Sequence, residues 1–235
     1  MTENQITRWL LKPAVFLAAV IPAAIVIYLT WAAYNGQQSA WPALTGNLSA
    51  NPLEDITHQT GDWALRFLCI TLAVTPLRRL TGWNGLIRFR RMAGLFAFFY
   101  GTLHLLTYIV VDRFAGLDFP DGIVAWSAVK NLAASVVDDI GKRPFITMGF
   151  TAWSTMVPLA LTSTAGMIRR LGGKRWNRLH KLVYATGILG VVHYWWLVKA
   201  DVSRPLAYGI VVGVLLGSRL SFARSTSVRR RTALS

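Results

Sequence analysis

Acidic residues are scarce in this chain. Of 235 residues, 10 are Asp or Glu against 25 Lys or Arg, a formal net charge of +15. Charged residues of both signs make up only 15%, against 54% hydrophobic residues. That shortage excludes an ordinary soluble fold, which needs a polar surface at this length. Cysteine is almost missing too. Cys69 stands alone inside an apolar run, which excludes an internal disulfide and any C-x-x-C metal or redox pair. It reads as a small buried apolar side chain. The first apolar run, 13–34, exceeds the ~7–15 residues of a signal-peptide core and reads as a retained helix.

What is present is long apolar segments separated by basic ones. Six spanning segments are expected, at about 13–34, 62–77, 92–111, 145–167, 182–198 and 206–221. Several fall just short of the ~20 residues that cross a hydrocarbon core, which tight bundling or local thinning accommodates. The basic residues lie in the flanks of these runs, which excludes nucleic acid as the partner they imply. Arg8 and Lys12 precede the first segment. Arg78, Arg79, Arg88, Arg90 and Arg91 follow the second, and a cluster from Arg169 to Lys181 follows the fourth. With six crossings these fall on one side, with both termini, and the positive-inside rule makes that side cytoplasmic. The expected fold is all-α: one integral membrane domain, 1–235, a six-helix transmembrane bundle. Its basic tail, 222–235, is suited to anionic membrane lipid and reads as flexible.

The opposite side holds the polar loop 35–61 and the acidic loop 112–144. Residues 122–137 have the pattern of a helix lying on the membrane. Gly94, Gly101, Gly187 and Gly190 suit close helix approach, or room for a flat ligand.

Two histidines lie inside apolar segments. His104 is 12 residues past Met92, and His193 is 12 past Lys181. Both therefore sit roughly 18 Å from the cytoplasmic boundary, at matching depth. An ionisable group there is costly and points to function. One such histidine alone reads as a hydrogen-bonded core residue. Two at one depth favour metal ligation, and a facing pair makes the axial set of a b-type haem. Haem propionates need cations, and Arg66 is the candidate near that level; snorkelling to the interface explains it equally. His180 is 13 residues before His193, which turns it to a different face of an ideal helix. It reads as a second haem ligand, a cofactor contact or a solvated boundary residue. His58 falls in a polar loop. A histidine-dependent proton-coupled transporter is the competing reading. It would place acids inside the spans, and these hold almost none beyond Asp62. A self-contained ferric reductase would need a further flavin and nicotinamide domain.

Four motifs in order carry a family resemblance: GDWALRFLCITLAVTPLRRLTG, RRMAGLFAFFYGTLHLLTY, DIGKRPFITMGF and PLALTSTAGMIRRLGGKRWNRLHKLVY. They resemble the MsrQ (YedZ) family of the ferric-reductase-like transmembrane group. The resemblance implies a haem b-containing electron-transfer subunit of the bacterial cell inner membrane. It has no catalytic residues of its own. It implies FMN as a further cofactor, and a cytoplasmic flavin reductase or the quinone pool as donor. The implied acceptor is a periplasmic molybdopterin methionine sulfoxide reductase, MsrP-like, for which helix 122–137 is a docking candidate. The family's haem-associated histidines match His104, His180 and His193. Where the fuller ferric-reductase pattern has a second histidine 13 residues before His104, this chain has Arg91. That leaves the cytoplasmic half short of a second bis-histidine pair. Arg91 and Trp176 are candidates there for flavin phosphate and flavin stacking.

Overall fold

The computed structural model describes residues 3–37, 49–110 and 126–232, and no strand occurs among them. A short turn, Glu3–Ile6, and a π-helical turn, Thr7–Leu11, run into α1 (Lys12–Tyr34). There follow α2 (Pro52–Thr81), α3 (Ile87–Thr107), α4 (Trp126–Lys142), α5 (Pro144–Leu161), α6 (Ala165–Leu179), α7 (Leu182–Leu197) and α8 (Ser203–Thr232). Thr7–Tyr34, Asn84–Val110 and Pro144–Leu161 are long and apolar enough to cross a membrane, and Leu182–Leu197 is apolar but shorter.

The start of α2 differs from the sequence expectation. Residues 52–61 are helical, although the sequence reads them as loop, and His58 is therefore a helix residue. The reason is a strong start signal. Asn51 accepts from the Glu54 N–H at 3.4 Å, Pro52 occupies the first turn, and Glu54 and Asp55 complement the helix dipole. The helix ends at Gly82, whose φ of 71° needs a residue without Cβ.

The helix in the expected span 145–167 stops at Leu161. Thr162 and Ser163 turn their hydroxyls back onto the Pro158 and Leu159 carbonyls. Thr164 then caps α6 by accepting from the Met167 N–H at 3.2 Å. The basic cluster lies on α6, which buries no residue and bends at Gly172 (φ 71°, ψ 151°). The helix expected at 122–137 overlaps α4, with residues 122–125 outside the described residues. The tail expected to be flexible from 222 continues α8 to Thr232.

Two antiparallel pairs dominate the packing, α2 with α3 and α5 with α7. Leu68, Leu72, Phe96, Ala97, Tyr100 and Val183 form the shared core. Tyr100 is fully buried and stacks on Phe67 at 5.3 Å. Its hydroxyl enters α1: it donates to the Ala19 carbonyl at 2.7 Å and accepts from the Ala23 N–H at 3.0 Å. These two groups are an i, i+4 pair beside Pro22, so the tyrosine hydroxyl is inserted into the helix ladder next to the proline. Trp153 Nε1 donates to Thr102 Oγ1 at 3.0 Å, linking α5 to α3. Arg219 ties α8 to the Leu72 carbonyl and to the Tyr184 hydroxyl.

Candidate functional site

The two helix pairs enclose a cavity of about 920 Å³, and His104 and His193 both line it. That volume lies at the upper end of the range for cofactor sites. The imidazole centroids are 6.0 Å apart, with planes at 75°. Two imidazoles on opposite sides of one metal ion, each bonded at about 2 Å, have centroids roughly 6.4 Å apart. The observed spacing is close to that arrangement.

The hydrogen bonds fix which nitrogen is free. His104 Nδ1 donates to the Thr57 carbonyl at 2.9 Å, and His193 Nδ1 donates to the Phe145 carbonyl at 2.6 Å. A carbonyl only accepts, so Nδ1 carries the proton on both rings and Nε2 keeps its lone pair. This is the tautomer of a metal-binding imidazole with its outer nitrogen anchored. The Thr60 hydroxyl stands 3.5 Å from His104 Nδ1. These donors fit a haem iron with two axial histidines. Among the described residues no group of three or more His, Cys, Asp or Glu is placed to hold a bare metal ion.

The cavity mouth lies where α2, α5 and α8 begin, and it carries charge. Arg143, Lys199 and Arg204 line it, with Glu54, Asp62 and Asp201. Arg143 pairs with Asp139 at 3.1 Å, and Arg204 with Asp62 at 3.6 Å. His58 also lines the mouth, 4.0 Å from Glu54. Arg66 lies outside the lining. It stacks over Trp63 and lies against Asp62 and Tyr208. Of the glycines noted from sequence, Gly101 and Gly190 line the cavity, whereas Gly94 and Gly187 face Thr71, Leu72 and Val212.

At the opposite end, His180 caps α6 and stacks on Trp176 with centroids 3.8 Å apart. Its Nδ1 donates to the Trp176 carbonyl at 3.1 Å. Nε2 is buried without a well-formed hydrogen bond. Burial pushes this imidazole below the usual histidine range; the Trp176 carbonyl opposes that and Arg90 adds to it. Trp176 Nε1 donates to the Thr162 carbonyl. Arg90 is half-buried and within electrostatic reach of Arg219, Tyr184 and His180. Arg91 is exposed. The structure thus brings His104 and His193 together, and sets His180 and Trp176 apart from them as a second cluster.

Helices of membrane length around a paired-histidine cavity define the class, a ferric-reductase-like membrane protein. Residues 60–191 match the family model described as ferric reductase like transmembrane component. Three relatives are each named protein-methionine-sulfoxide reductase heme-binding subunit MsrQ. That of Herminiimonas arsenicoxydans is 46% identical over 91% of this chain and 86% of its own length. That of Ralstonia nicotianae is 50% identical over 88% and 83%. That of Xanthomonas euvesicatoria pv. vesicatoria is 44% identical over 94% and 92%. The chain belongs to the ferric-reductase-like family and, within it, to the MsrQ family. No solved structure matches it.

Proposed function

We propose that this chain is a haem b-containing electron-transfer subunit that carries electrons across the bacterial inner membrane to a periplasmic, MsrP-like methionine sulfoxide reductase. The observation that carries the reading is the pair of imidazoles on one cavity, 6.0 Å apart, each with Nδ1 held by a carbonyl. Bound haem b supplies a one-electron carrier. His104 and His193 would hold its iron through the Nε2 atoms that their Nδ1–carbonyl bonds leave free. The relatives' printed names, heme-binding subunit of the methionine sulfoxide reductase, support the same role. The chain is thus a subunit of an oxidoreductase complex and is not the sulfoxide-reducing enzyme itself.

The orientation follows from charge. Six crossings put α6 and the Arg78–Arg91 segment in the cytoplasm with both termini. The cavity mouth then faces the periplasm, where Arg143, Lys199 and Arg204 serve the propionates. Electrons enter from a cytoplasmic flavin reductase or the quinone pool at the His180, Trp176 and Arg90 end. An FMN there would use Arg91 for its phosphate and Trp176 for stacking. Helix α4 receives the periplasmic partner.

An optical spectrum of the purified protein, oxidised and dithionite-reduced, tests the core of this reading. A sharp reduced b-type spectrum that vanishes in both His104→Ala and His193→Ala is expected. Wild-type protein that takes up no haem when haem is supplied would overturn it in favour of a proton-relay transporter.

A further inference from the structure

The two histidine seats are built alike. On α2, the Thr57 carbonyl accepts from His104, and Gly61 follows four residues later. On α5, the Phe145 carbonyl accepts from His193, and Gly149 follows four residues later. Residues four apart share a helix face, so each glycine lies directly beside the accepting carbonyl. The match extends to the other helix of each pair. His104 ends the sequence Gly101-Thr-Leu-His104, and His193 ends Gly190-Val-Val-His193. Each pair therefore contributes one seat: a carbonyl, a glycine beside it and a histidine from the opposing helix.

The glycines are in contact with the rings. A Cβ on Gly61 would stand 3.1 Å from His104 Nδ1 and Cε1. A Cβ on Gly149 would stand 2.7 Å from His193 Nδ1 and 2.8 Å from Cε1. The first is tighter than a relaxed contact and the second is a clash. Either methyl pushes the imidazole away from its carbonyl. Gly94, on α3, differs: a Cβ there meets only Thr71, at 3.6 Å, an ordinary contact.

We propose that Gly61 and Gly149 are positioning residues that seat the two axial imidazoles against the Thr57 and Phe145 carbonyls. They thereby set the orientation and electron-donating strength of both haem ligands. The proposal rests on the haem reading of the cavity. An N–H···O=C bond at Nδ1 makes an imidazole a stronger donor through Nε2, which favours ferric iron. Loss of that bond raises the midpoint potential. A methyl in the seat also turns the ring, and the g values of a low-spin ferric haem report the orientation of its axial rings.

Purified wild type, Gly61→Ala, Gly149→Ala and the control Gly94→Ala are compared by haem-to-protein ratio, ferric EPR and redox titration. Gly94→Ala is expected to match wild type. Gly61→Ala, the milder intrusion, keeps its haem with shifted g values and a raised midpoint potential. Gly149→Ala shows a larger change, or loses its haem. If Gly61→Ala keeps wild-type g values and potential, the proposal is overturned, even where Gly149→Ala fails to fold. If His104→Ala and His193→Ala still lose haem in that case, the haem reading stands and only the seat is lost. Wild type without haem overturns both.

Discussion

His104 and His193 come from two parallel helices that share no direct connection, yet their rings stand 6.0 Å apart. Each is held by a carbonyl of a different neighbouring helix, so four helices fix one geometry. On the proposed ligation, replacing one histidine by methionine keeps two donors but exchanges an imidazole for a weaker thioether. His193→Met is expected to retain haem with a higher midpoint potential than wild type. Redox titration checks this, and a potential at or below the wild-type value counts against axial ligation by His193.

The depth match of these two histidines was legible because each lies 12 residues past a basic boundary. Charge and the length of apolar runs are local signals, and the runs also pointed to the all-α class. The seats were not legible. Gly61 and Gly149 lie on other helices than the rings they contact, and closeness between helices leaves no mark in a single segment. The repeated spacing, a G-x-x-H on each histidine helix, was the one clue available. The mouth cations were missed for a related reason. Arg66 drew notice by standing in an apolar run, whereas Arg143, Lys199 and Arg204 flank the ends of helices and look there like ordinary boundary charges.

Those mouth cations yield a graded prediction. Arg143, Lys199 and Arg204 line one rim, and haem propionates there need positive partners. The side chains of Arg143 and Arg204 are 49% and 73% exposed, so solvent weakens each contribution. Single changes to Gln are expected to lower haem retention by about twofold to tenfold, and the triple change by more. Arg66→Gln, outside the rim, is expected to have a smaller effect. Competition of each holoprotein with apomyoglobin for haem measures the order. An Arg66 effect exceeding all three would relocate the propionates.

His180 has no histidine facing it from α3, where Arg91 occupies the matching position. Its ring is instead committed to Trp176. His180→Ala is therefore expected to keep one haem per chain and an unaltered reduced spectrum. Entry of electrons should slow when a reduced flavin or quinol is the donor, with dithionite reduction unchanged. Pyridine haemochrome quantification and stopped-flow reduction separate the two effects. Loss of half the haem would show that His180 is itself an iron ligand.

Tyr100 offers a stability test away from the iron. Removing its hydroxyl leaves the Ala19 carbonyl and the Ala23 N–H without their partner beside Pro22. Leaving buried backbone groups unpaired costs about 1–3 kcal/mol. Tyr100→Phe is expected to unfold at lower denaturant or temperature with the haem spectrum unchanged. A wild-type unfolding midpoint would mean that α1 restores these bonds without the tyrosine.

Helix α4 is anchored at one end and apolar on an outer face. Asp139 accepts from the Tyr108 hydroxyl and pairs with Arg143, while Thr147 donates to the Ile140 carbonyl. Trp126 and Val137, by contrast, are 71% and 68% exposed. A face fixed to the mouth of the cavity yet left open suits a partner that must come close to the haem edge, since transfer falls off with distance. Trp126→Ser with Val137→Ser is expected to leave haem content and potential unchanged and to slow oxidation of the reduced protein by the proposed periplasmic reductase. Stopped-flow mixing of reduced protein with that reductase reads the rate at several concentrations. A lower slope with an unchanged plateau marks weakened docking. An unchanged slope would assign this face to lipid contact, and docking would then have to use the rim of the cavity itself.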